Sequence, residues 1–147
     1  MARMIFVNLP VTDVARSTAF YESIGCVMDP RFSNEAASSM QWSDTIVFMI
    51  LHTSFFSTFT PKAIADAQAT TEVLLCLTLD RRESVDAIVE KAVAAGGTAD
   101  IRPAQDMGFM YSRAFADPDG HLFEPMFMDE AAAVAAMAPS HGENAPA

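Results

Sequence analysis

The chain is predicted to be an α+β protein built from two βαβββ modules, their strands forming a curved eight-stranded sheet with helices outside and a concave pocket inside. Two observations lead there. Two segments alternate apolar and polar residues with period two, "MIFVNLPVT" (4–12) and "TEVLLCLT" (71–78). Each is followed by a stretch with apolar residues at helical spacing and then by three further strand-like runs. A pattern that restarts after about 65 residues is an internal repeat, and neither half has enough sheet and helix to bury both faces alone.

In the first strand Ile5, Val7, Leu9 and Val11 share one face, and Phe6, Asn8 and Pro10 share the other. Thr12 or Asp13 offers an N-cap to a helix carrying Val14, Ser17, Tyr21 and Ile24, and Gly25 stands where a left-handed C-cap falls. A weak strand near 27–32 precedes strong ones at 37–42 and 46–51. In the second module Val85, Ile88, Val89 and Ala92 form a helical stripe that ends at Gly96–Gly97. Strands follow near 98–102, 109–116 and 121–128. One domain over 1–128 therefore comprises modules at about 4–51 and 71–128, joined by a linker at 52–70. Within the linker, Thr60–Pro61 predicts a short helix, and Phe55, Phe56 and Phe59 either plug the junction or form a lid. Residues 129–147 read as a short alanine-rich helix with a disordered tail.

The net charge of −10 with scattered Lys and Arg argues against nucleic acid. No apolar run approaches the ~20 residues of a membrane span. Two cysteines, Cys26 and Cys76, and a first segment without a signal-peptide pattern make the cytoplasm the expected compartment.

Glu124 is a carboxylate inside an otherwise apolar strand, and four readings suit it: metal ligand, catalytic acid or base, half of an ion pair, or a relic. If the loop of the last hairpin is Asp117–Gly120, Arg113 stands opposite Glu124 and pairs with it. If Glu72 and Glu124 instead face each other across an apolar pocket, one proton can be shared between them and moved next to a carbonyl. Asn8, Tyr111 and Arg113 are the donors near that face. His52 is expected at its rim, and His121, on the opposite face, is tied to its turn or exposed.

The segments "LPVTDVARSTAFYESIG" and "FADPDGHLFE" resemble the vicinal oxygen chelate superfamily, which includes glyoxalase I, bleomycin-binding resistance proteins, fosfomycin-resistance transferases and extradiol dioxygenases. The block "QDMGFMYSRAFADPDGH" is similar to an uncharacterised glyoxalase-like branch. In metal-dependent members each module supplies one ligand from its first strand and one from its last. Setting one repeat over the other puts those positions at Phe6, Phe48, Glu72 and Glu124, half a ligand shell at most. The resemblance thus implies a small-molecule-binding protein or metal-independent enzyme, with no cofactor expected and a homodimer as its assembly. Its pocket is expected to hold Phe6, Asn8, Phe48, His52, Phe55, Phe56, Tyr111 and Arg113, with Glu72 and Glu124 as the groups for catalysis. The alternative is a lyase or dioxygenase that binds a divalent metal through Glu72 and Glu124, with His52 as a third ligand.

Overall fold

A computed structural model of the chain describes residues 2–138. The first module contains β1 (Ile5–Val11), α1 (Val14–Ser23), β2 (Val27–Met28), β3 (Ala37–Gln41) and β4 (Ile46–His52). The linker opens with a short helix, α2 (Thr53–Phe56). The second module contains β5 (Leu75–Thr78), α3 (Arg82–Ala94), β6 (Thr98–Ala99), β7 (Gln105–Asp106), β8 (Met110–Ser112), β9 (Phe115–Ala116) and β10 (Leu122–Met128). A last helix, α4 (Glu130–Met137), covers the alanine-rich stretch. The disordered tail expected after it lies outside the described residues.

The α+β class and the paired βαβββ layout are those the sequence predicts, with the strands divided between a four-stranded and a six-stranded sheet. The first sheet runs β1-β4-β3-β2, with β1 parallel to β4. The second repeats this plan: β10 is central, β5 lies parallel on one side, and β8 and β9 lie antiparallel on the other, with β7 and β6 beyond them. Strands β8 and β9 share one register against β10 and break opposite Pro125. The Arg113 N–H donates to the Pro125 carbonyl (3.2 Å), but proline has no N–H to return the bond. Pro10 avoids this conflict because β1 is an edge strand, so its missing donor costs the sheet nothing.

One aromatic core joins the modules. Phe115 stacks on Phe123 with centroids 5.3 Å apart, and Phe123 meets Phe48 edge-on at 5.5 Å. From α1, Tyr21 packs on Phe48 and Phe123 while Phe20 reaches Phe115. Phe20, Tyr21, Phe115 and Phe123 are completely buried.

The helix predicted at Thr60–Pro61 does not form. The Thr60 hydroxyl accepts from the Lys62 N–H, and Asp66 closes a turn by accepting from Gln68 and Thr70. Short polar side chains that bond nearby backbone in this way compete with the helix, which in so short a segment has little cooperative gain to resist them. The strand predicted from Thr71 shortens to Leu75–Thr78, the part that finds a partner in β10.

Candidate functional site

A cleft of about 360 Å³ opens where β1, the approach to β5 and the start of β10 meet beneath the linker. Leu9, Pro10, Phe56, Ile64, Val73 and Leu122 give it an apolar wall. Asn8, Lys62, Glu72 and His121 are the notable polar residues along it. A smaller pocket of about 220 Å³ adjoins it and shares Pro10, Ile64, Ala67 and His121.

The linker is held over this space by the turn between β9 and β10. A Cβ placed on Gly120 would lie 2.7 Å from the Ala67 carbonyl, so backbone passes over backbone here. The Gln68 amide donates to the Pro118 carbonyl (3.1 Å) beside this crossing. The same turn grips the first module. Asp119 accepts from the N–H and hydroxyl of Thr12 and from Ser17, Asp117 accepts from Tyr21, and the His121 Nε2 lies 2.7 Å from the Pro10 carbonyl. The two segments that carry the sequence resemblance thus touch each other as a clasp between modules.

Of the residues expected in the site, Asn8, Phe56 and Glu72 line the cleft. Phe6 is exposed farther back on β1 and does not line it. Phe55 packs edge-on against Phe59. His52 caps α2, its Nδ1 accepting from the Ser54 N–H, which ties its imidazole to a local turn. Phe48 is a correction: it is 2% exposed and belongs to the core. Tyr111 and Arg113 also leave the expected face. Tyr111 donates to Asp86 on α3 (2.7 Å), and Arg113 binds Asp86 and Asp100.

Both corrections come from a one-residue slip in register, which exchanges the two faces of a strand. Asp117 N–H bonds to the His121 carbonyl, so the turn holds five residues and Phe123, not Leu122, stands opposite Phe115. The first module's equivalent turn closes between Trp42 and Ile46. Matching the two turns puts Phe48 on Phe123 and Met49 on Glu124. Asn8 pairs with Met49 and Cys76 with Glu124, so Asn8 corresponds to Cys76 and Phe6 to Leu74.

Glu124 therefore has a different partner from the one predicted. Arg102 donates to one of its carboxylate oxygens from Nε (3.0 Å) and Nη2 (2.6 Å), and Nη2 also reaches the Ser112 hydroxyl. Neither Glu124 nor Arg102 lines the cleft, so Glu72 and Glu124 do not face each other across it. Cys76 lies beside this pair. Desolvation and the Glu124 carboxylate raise its thiol pKa, against a smaller opposing pull from Arg102, so the thiol is not activated.

The sequence profile of the Glyoxalase/Bleomycin resistance protein/Dioxygenase superfamily matches residues 3–124. The chain belongs to that superfamily. Among solved structures, a hypothetical protein from S. aureus is 24% identical with a TM-score of 0.73, over 86% of this chain and 95% of that one. A glyoxalase-related enzyme from Fulvimarina pelagi is 25% identical with a TM-score of 0.71, covering 86% and 88%. The fosfomycin resistance protein FosX from Listeria monocytogenes is 21% identical with a TM-score of 0.62, covering 86% and 93%. No curated protein matches the chain.

The superfamily's divalent metal does not fit the residues present. With the register corrected, its four positions read Phe6, Met49, Leu74 and Glu124, and the one carboxylate is bound to Arg102. Among the described residues no group of three His, Cys, Asp or Glu side chains comes together to hold a metal ion.

Sequence reasoning missed Lys62 and His121 as cleft residues and Arg102 as the partner of Glu124. Lys62 lies in a linker with no periodicity to orient it, and His121 gains its neighbours only through the clasp. Arg102 follows Asp100, whose φ of 52° bends the chain there. The strand assumed to run straight to Arg102 gave no sign of that bend.

Proposed function

We propose that this member of the superfamily binds a small, largely apolar organic molecule in the cleft under the linker, and that it does so without a divalent metal. The observation that carries the reading is the cleft itself. Its volume of about 360 Å³ lies within the roughly 300–1,000 Å³ usual for small-molecule sites. Its wall is mostly apolar, with a few polar side chains that fix orientation and select the ligand. The Arg102–Glu124 pair supports metal independence, because a guanidinium occupies the carboxylate that a metal would need.

The chain acts as a homodimer in this reading. Strands β1 and β5 are sheet edges, and Ile5, Phe6, Val73 and Leu74 are exposed on or beside them, an apolar border that a second copy would cover. A cytoplasmic location accords with the free thiols Cys26 and Cys76. No helix among the described residues is long and apolar enough to cross a membrane.

The test is a thermal-shift titration with Mn²⁺, Ni²⁺, Zn²⁺ and Fe²⁺ beside a library of small aromatic compounds. The expected result is stabilisation by members of the library and none by the ions. Near-stoichiometric metal in the purified protein, lost in Glu124→Gln, would overturn metal independence. A library without a single hit would overturn the cleft.

A further inference from the structure

We propose that His121 is a ligand-reading residue of this cleft: its Nδ1 accepts a hydrogen bond from an O–H or N–H of a neutral, mostly apolar ligand, such as a phenol or an amide. The inference rests on the cleft being the binding site.

The tautomer follows from elementary chemistry. The His121 Nε2 is 2.7 Å from the Pro10 carbonyl oxygen, and a carbonyl can only accept. Nε2 must therefore carry the hydrogen, and the neutral ring then has its lone pair on Nδ1. Nδ1 has no hydrogen-bond partner among the described residues. The Pro10 carbonyl is free to take this bond because β4 pairs with β1 on the other side and β1 is an edge.

The ring is also held in place. The His121 N–H donates to the Asp117 carboxylate (2.8 Å), and its carbonyl accepts from the Asp117 N–H (2.9 Å). The preceding residue, Gly120, is pinned beneath Ala67 and Gln68. A histidine whose backbone and one ring nitrogen are fixed presents the other nitrogen without further ordering cost. Lys62 in the cleft only donates and Glu72 is a carboxylate, while Asn8, Thr60, Thr70 and Thr71 can also accept. His121 differs from them in offering a ring nitrogen held by two backbone bonds and one ring bond. With its ring neutral, His121 offers an apolar ligand with a single donor an uncharged acceptor.

The test compares 2-naphthol, which has the donor, with 2-methoxynaphthalene, which has the same ring system without it. Affinities are measured by fluorescence titration on the native protein and on His121→Gln. Glutamine keeps an N–H for the Pro10 carbonyl and offers no acceptor at the Nδ1 position. The native protein should prefer 2-naphthol by about 5–10-fold, as one net hydrogen bond implies, and His121→Gln should bring the ratio to about one. In the native protein alone, the ¹⁵N resonance of the His121 Nδ1 should move upfield with 2-naphthol and stay in place with 2-methoxynaphthalene, a readout that does not depend on the variant folding. Equal affinities in the native protein, a preference that survives in His121→Gln, or an unmoved resonance with 2-naphthol bound would overturn the role of His121 while leaving the cleft intact. If neither naphthalene binds, the cleft reading falls and this inference falls with it.

Discussion

Tyr21 donates its phenolic hydrogen to Asp117 across 2.7 Å, and both residues are buried. The bond joins α1 of the first module to the turn that opens the last strand of the second. Burial raises the Asp117 carboxyl above the ordinary range, opposed by nearby His121 and by the Tyr21 hydrogen bond. The folded protein therefore keeps this proton to a higher pH than the unfolded chain does. Asp117 contributes stability that is fully present below the unfolded value of about 3.9 and is lost as pH rises through the raised folded value. Tyr21→Phe removes a hydrogen bond that favours the ionised form and leaves a buried carboxylate oxygen unpartnered. It should cost about 1–3 kcal/mol at pH 7 and less at pH 4. Urea melts at the two pH values decide it, and a cost that grows towards acid would contradict the sign.

Gly120 makes a separate prediction about the roof of the cleft. Its φ is +97°, and an added Cβ would meet the linker backbone at Ala67 and Gln68. Gly120→Ala should destabilise by at least about 2 kcal/mol, combining left-handed strain with a clash that only movement of the linker relieves. Trypsin cleavage after Lys62 should accelerate in the variant. Gly108 supplies the control, since its φ is +81° but nothing lies within 4 Å of its Cβ position. Gly108→Ala should cost about 1 kcal/mol for backbone strain alone and leave the cleavage rate unchanged. Equal rates in the two variants would mean that Gly120 does not anchor the linker.

What was legible in the sequence follows physical range. Period-two and helical alternation are local, so β1, α1, β4, α3 and β10 could be read from one stretch each, and Asp13 is the N-cap that its type suggested. Register depends on how many residues a turn consumes. Counting four in the last hairpin instead of five put Arg113 across from Glu124 and turned Tyr111 into the pocket. The interruption between β8 and β9 was foreshadowed by Pro125, a residue that a central strand accommodates poorly. Arg102 reaches Glu124 only after a bend at Asp100, and the roof of the cleft depends on a linker crossing over Gly120. Neither contact leaves a periodic trace.

Arg113 allows the corrected placement to be tested by acid. Its guanidinium binds both oxygens of Asp100 (3.1 and 2.8 Å) and one of Asp86 (2.9 Å), while Tyr111 donates to the same Asp86 oxygen. The Tyr111 hydrogen bond, and then Arg113, hold the Asp86 carboxyl below its ordinary range, and Arg113 does the same for Asp100. Folded values below unfolded ones give stability that is present above the unfolded value near 3.9 and is lost as pH falls through the folded values. Asp86 and Asp100 are 49% and 45% exposed, so solvent screening limits the gain to about 1 kcal/mol. Arg113→Met keeps most of the apolar stem and removes the charge. The native protein should exceed this variant in stability by a constant margin between about pH 5 and 7, and the two should converge below about pH 4. A margin unchanged down to pH 2 would place the contribution of Arg113 in its packing rather than in these carboxylates. A margin abolished by Glu124→Gln would restore the partner that the four-residue turn implied.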